Sequence, residues 1–183
     1  MYKDHSLIPA EAVRLAALGI LAEAPRSYET LAADVRQFVS RIAGPSLDLL
    51  GPPLEVLRIE GLVAADDNAA GAGAGEVLRL TPKGEDELVR LLGATLRGPL
   101  GEFNKLVIAL KLRFLSFLPV AEQAGQLDLL AEACERELVR LTDLRGRSGE
   151  LPMPFTAWLA HDIAQIGARL CWVRDLAREL GLA

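Results

Sequence analysis

Apolar residues recur along the chain at two periods, and the changes of period mark out its elements. Ala12-Val13, Leu15-Ala16 and Leu18-Gly19-Ile20-Leu21 crowd a stretch that opens with Ile8-Pro9-Ala10-Glu11 and ends near Glu23. An early proline and an acid in the first turn suit a helix start. So much apolar surface predicts the central helix of a first domain. Ala24-Pro25-Arg26 breaks it. Ser27 can cap a second helix over residues 28–39, with Tyr28, Leu31, Ala32, Val35, Phe38 and Val39 at helical spacing. Gly44-Pro45 and Gly51-Pro52-Pro53 then interrupt the chain and leave room for one helical turn over residues 46–50. A residue before proline is pushed out of the α region, so the next helix begins at about Pro53. Leu54, Leu57 and Ile59 form its apolar side, and Gly61 takes the left-handed conformation that ends it. Leu62-Val63 starts a strand, residues 64–76 form a loop, and Val77-Leu78-Arg79-Leu80 is the second strand of a hairpin. Thr81 caps the next helix and Pro82 takes its first position, with Leu88, Leu91 and Leu92 facing inward.

Helix, β-hairpin, helix is the back half of a winged helix-turn-helix, expected over residues 1–92. Residues 93–101 hold three glycines and Pro99 and form the expected domain junction. Beyond it the pattern changes. Phe103, Val107, Leu110, Phe114 and Phe117 step by four and three. So do Val120, Ala124, Leu127, Ala131, Cys134, Leu138 and Leu141, and then Leu159, Ile163, Ile166, Leu170, Val173, Ala177 and Leu180. Three heptad-spaced seams over residues 93–183 predict helix-on-helix packing of coiled-coil type. They offer more apolar edge than one chain covers, so a homodimer is expected, with Phe103, Val107, Leu110, Phe114, Leu159, Ile163, Ile166, Leu170 and Val173 in its seams. The expected fold class is therefore mainly α: an N-terminal winged helix-turn-helix with a small hairpin wing, followed by a helical dimerisation domain.

Of the 183 residues, 51% are hydrophobic, which excludes a disordered chain. No apolar run reaches the roughly twenty residues of a membrane span. No signal-type stretch opens the chain, because Glu11 and Arg14 interrupt the candidate. Cys134 and Cys171 stand far apart without metal-like spacing. These features point to a reducing cytoplasm. Residues 1–92 carry nine Lys/Arg and fourteen Asp/Glu, so the full net charge of −5 sits in the first half. The Gly71-Ala72-Gly73-Ala74-Gly75 run precedes a strand rather than a helix and reads as a hairpin tip, not a nucleotide-binding loop. HExxH, P-loop and G-x-S-x-G motifs are absent, and His161 and Asp162 are helix neighbours that point apart. No enzyme activity, cofactor or metal is expected.

The order of elements resembles the PadR family of transcriptional regulators, in particular its AphA-type virulence activators. The opening, LAALGILAEAPRSYETLAADV, is similar to the family's leucine-rich helix, break and Tyr-Glu helix start, here Tyr28-Glu29. LEVLRIEGLV resembles the end of its recognition helix, and VLRLTPKGEDEL its second wing strand and following helix. LVIALKLRFLSFLP and the helices beyond are similar to the AphA-type dimerisation region. The resemblance implies a homodimer that docks paired winged helices on double-stranded DNA. Trp158 and Trp172, fourteen residues apart on the last helix, then mark where a small planar effector could bind at the dimer centre, or simply seam packing.

Within that frame Arg26, Ser27 and Tyr28 stand at a helix N-terminus, where backbone N–H groups can hold a phosphate. Arg36 and Arg41 flank the recognition element, Ser46 and Arg58 lie on it, and Arg79 and Lys83 are the basic groups near the wing. Each has a plainer use as a cap, a core residue or an ion-pair partner. The wing carries Asp66, Asp67 and Glu76 and no Lys or Arg between Val63 and Val77. With the Gly51-Pro52-Pro53 break, this supports a second reading, a winged helix that works through protein contacts.

Overall fold

The computed structural model describes residues 6–44, 54–66, 76–96, 98, 100–147 and 152–182. It is mainly helical, and its described residues form two compact units. The first comprises Met1–Thr95 with Glu102–Leu118, the second Leu96–Gly101 with Pro119–Ala183. The expected boundary at residues 92/93 differs from this division, because the helix after the junction packs back into the first unit.

In the first unit α1 (Pro9–Glu23) is apolar nearly all round, and Leu15 through Leu21 are buried without interruption. Such a helix is stable only inside a core. It is enclosed by α2 (Tyr28–Ala43), α4 (Pro82–Leu92) and α5 (Glu102–Arg113). α2 buries Leu31, Val35, Val39 and Ala43, a single stripe at helical spacing. Between these helices lie α3 (Leu54–Ile59) and a small antiparallel sheet of β1 (Arg26–Ser27), β2 (Val63–Ala65) and β3 (Val77–Leu80), ordered β1-β3-β2. Arg26 pairs with Leu78, and Val63 with Leu80. The strand β1 was not expected from the sequence, and two residues carry no period that could announce it.

α3 ends as its glycine predicts. Gly61 has φ +72°, and the Leu62 N–H donates to the Leu57 carbonyl at 2.8 Å. This is the six-to-one bond of a left-handed helix stop. Leu57 is buried, but Ile59 is 83% exposed, so the apolar side expected for this helix does not include it. The cause is the short element: Ile59 lies two residues beyond Leu57, which at about 100° per residue turns it away from the core. α4 then starts on Thr81, which accepts from the Gly84 N–H at 3.1 Å and donates to the Gly61 carbonyl at 2.7 Å. Gly84 sits against the backbone of Leu62, leaving no room there for a Cβ.

α5 buries Leu106, Val107 and Leu110 against α1 and α2. Phe114 comes next, and its ring fills the space that a Cβ on Gly19 would need. This seam is therefore spent inside the protomer. Val107, Leu110 and Phe114, expected at the dimer contact, are core residues of the first unit, and Phe103 is half-buried.

The second unit is a hairpin of α6 (Val120–Arg147) and α7 (Met153–Glu179). Cys134, Leu141, Leu159, Ile166 and Leu170 form its core, with Ala131, Leu138 and Ile163 packed against them. Arg174 reaches back to Glu135 at 2.5 Å. Leu159, Ile166, Leu170 and Val173, also expected at the dimer contact, thus cover α6 of their own chain. The second unit still exposes Met153, Phe155, Trp158 and Trp172 on α7, Leu180 just past its end, and Val139 on α6. Among the described residues no helix is long and apolar enough to cross a membrane.

Candidate nucleic-acid interface

The residues predicted to touch DNA are brought together only in part. Ser27 has the extended backbone of an N-cap and accepts from the Thr30 N–H at 3.3 Å. That leaves the N–H groups of the first turn of α2 partly satisfied by the chain itself. Tyr28, beside it, is exposed rather than buried. Arg26, one residue before the cap, pairs with Asp34 at 3.1 Å and lies 4.0 Å from Glu23. Its Nε is buried with no hydrogen-bond acceptor. Arg58, on α3, pairs with Glu76 at the root of the β2-β3 loop at 2.7 Å. Lys83 donates to the Glu60 carbonyl at 2.7 Å, so its ammonium closes the end of α3 instead of standing free. Ser46 and the Gly51-Pro52-Pro53 break lie outside the described residues.

Arg36, Arg41 and Arg79 are exposed and form no ion pair among the described residues. Arg36 and Arg41 are five positions apart, which sets them about 140° apart around α2. They do not make one patch. Arg41 lies in a cleft of about 430 Å³ with Arg26 and Arg113, whereas Arg36 stands on the opposite flank. Arg79 is on β3, opposite Ala64 of β2.

Part of the acidic charge of the first half is answered by arginines of the same unit. Arg14 of α1 binds Glu60 at 2.8 Å and Glu87 at 3.3 Å, tying the end of α3 to α4. Arg90 binds Glu87 at 2.7 Å and Glu11 at 3.5 Å. The Arg90 guanidinium, with Arg14, holds the Glu87 carboxyl below its usual range against the opposing effect of burial. Arg113 binds Glu23 through two bonds of 2.9 and 2.7 Å. Glu11, Glu23, Asp34, Glu60, Glu76 and Glu87 are thus each answered by an arginine. The carboxylates turned outward on α4 are Glu85 and Asp86.

Sequence reasoning missed Arg14 and Arg113, whose partners lie 46 and 90 positions away. The one signal in the sequence is that Lys111 and Arg113 interrupt the most apolar stretch of the chain. Arg113 explains its interruption at the helix end, where its guanidinium also lies 5.0 Å from the Phe38 ring centre and 5.1 Å from that of Phe114. On α7, Phe155 and Trp158 pack with ring centres 5.6 Å apart, and Trp158 and Trp172 are 52% and 48% exposed. Burial pushes the Cys134 thiol up from its ordinary value, which makes it an inert core residue.

A protein-family model described as "Putative AphA-like transcriptional regulator" matches residues 2–177. Comparison with curated proteins gave no match.

Proposed function

We propose, from the premise that the chain belongs to the AphA-like family of transcriptional regulators, that it is a homodimer that binds double-stranded DNA at a promoter. The observation that carries this reading is the order α1-β1-α2-α3-β2-β3 with sheet order β1-β3-β2. This order supports a winged helix-turn-helix reading, with α3 as the end of the recognition helix and the β2-β3 loop as the wing. Arg36 and Arg79 are its phosphate contacts, since they are exposed and have no competing carboxylate among the described residues. Tyr28 is exposed at the start of α2. PadR-like kinship is part of the same proposal.

The dimer forms through the α6-α7 hairpin. Its inner seam is already used, so the contact is made by the aromatic side chains left outside, Phe155, Trp158 and Trp172. Large exposed aromatics grouped on one element are the usual anchors of an interface. A planar effector, if the regulator responds to one, binds against the same two tryptophans.

The second reading, an interaction module that no longer reads DNA, is favoured by one pair: Arg58 on α3 is occupied by Glu76. Mass measurement of the protein on a duplex from the region upstream of its own gene separates the two. The regulator binds as two protomers per duplex. An interaction module gives free protein and free duplex.

A further inference from the structure

Three guanidinium groups converge on one cleft of the first unit, two of them from the acidic residues 1–92 and the third, Arg113, from α5. The cleft, of about 430 Å³, is bounded by β1, α2 and the end of α5. Arg26, Arg41 and Arg113 line it, with the Gln37 amide, the Phe38 ring and one carboxylate, Asp34.

The charges do not balance internally. Asp34 answers Arg26, and Glu23 answers Arg113 while also lying 4.0 Å from Arg26. Three guanidiniums therefore face two carboxylates, and Arg41 has no ion pair among the described residues. A second deficit is a hydrogen bond. The Arg26 Nε is buried without an acceptor among the described residues, a state that ordinarily disfavours the fold. The third feature is rigidity. Arg113 is fixed by two bonds to Glu23 and by the faces of Phe38 and Phe114, so it loses little freedom on meeting a ligand. The basic lining is arginine throughout, and the guanidinium fork matches phosphate oxygens in pairs where an ammonium offers a point charge.

We propose that this cleft binds a phosphate group, with Arg41 and Arg26 as its ligands, Arg113 as a fixed positive wall and Gln37 as a further donor. The phosphate comes either from a DNA backbone or from a small phosphorylated compound. The site stands whether or not the chain reads an operator, because it lies on the flank of α2 opposite Arg36.

The test uses the full chain labelled with nitrogen-15 and follows the arginine Nε–H signals. Inorganic phosphate is titrated at constant ionic strength, with chloride as the matched control. Saturable movement of the Arg26 and Arg41 signals is expected with phosphate and not with chloride. Arg41→Gln weakens phosphate binding at least tenfold, and Arg41→Lys restores part of it. Because Arg41 is exposed and has no ion pair among the described residues, both variants keep the wild-type amide spectrum elsewhere. A DNA duplex titrated in parallel identifies the source. Movement of the same signals assigns the phosphate to DNA, and their immobility with intact phosphate binding assigns it to a free phosphorylated ligand. Equal, unsaturable shifts with phosphate and chloride, or affinity unchanged in Arg41→Gln, overturn the proposal.

Discussion

Lys111 is 2% exposed, and its ammonium donates to the Leu92 carbonyl at the end of α4. Helix ends leave carbonyls without intrahelical partners, and a buried cation nearby meets that need at the cost of its own desolvation. Burial pushes its pKa from 10.5 down to about 8. Below pH 8 the group is charged in folded and unfolded chains alike, and the fold carries the full penalty. Between pH 8 and 10.5 the unfolded chain holds a proton that the folded chain has released, so stability rises with pH. The separation of the two values corresponds to roughly 3 kcal/mol. Lys111→Met is expected to be favoured over the wild type most strongly below pH 8. Its advantage shrinks by up to roughly 3 kcal/mol as pH approaches 10.5, measured by urea denaturation across that range. A difference that does not change with pH contradicts this account. Gly19 gives a second prediction at this scale. A methyl group there meets the Phe114 ring, so Gly19→Ala should destabilise by about 1–3 kcal/mol. Adding Phe114→Leu should recover part of the loss, which a purely local effect on α1 would not allow.

Among the elements, those with strong local signals are legible in the sequence alone. The stop at Gly61, the Thr81-Pro82 start of α4 and the apolar α1 follow from residues within one turn of each other. The elements that stay hidden depend on partners far along the chain. The seam of α5 is visible, but periodicity says that a face is buried and not against what. In the structure it meets Gly19 rather than a second subunit. The strand β1 exists only through pairing with β3. The candidate DNA residues are half legible for the same reason. Arginine positions are written in the sequence, whereas Glu76 beside Arg58 and Asp34 beside Arg26 are products of folding. The Arg58–Glu76 pair yields a prediction for α3 and the root of the β2-β3 loop. Both side chains are about half exposed, so their mutual stabilisation is small. Removing the carboxylate should leave stability nearly unchanged while releasing a cation on α3. Glu76→Gln is expected to tighten duplex binding and to steepen its dependence on salt by about one phosphate contact. Lower affinity, or an unaltered slope, places Arg58 outside the DNA contact.

The two units divide the work differently. The first holds the sheet, the short helix and the exposed Arg36, Arg41 and Arg79. The second is a two-helix hairpin with aromatic residues left outside. A hairpin of this kind gains most of its stability from what covers it. Replacing Trp158 and Trp172 with lysine puts charge on that outer face without touching the buried seam. The double variant should remain helical by circular dichroism and sediment as a monomer, whereas the wild type is expected to sediment as a dimer, with dissociation raised on the order of 100-fold. Duplex affinity should fall with it, because two half-sites must be held together for paired docking. A monomeric wild type, or a variant that still dimerises, removes the hairpin from the assembly.

Fluorescence anisotropy of the full chain on a duplex from upstream of its own gene, beside a scrambled duplex and titrated with salt, bears most directly on the DNA-binding reading. The account predicts tighter binding to the upstream duplex, a linear fall of log affinity with log salt, and a slope reduced by about one each in Arg36→Ala and Arg79→Ala. Equal affinity for both duplexes, or no binding at low salt by a folded dimer, would contradict it and leave the interaction module as the reading of this fold.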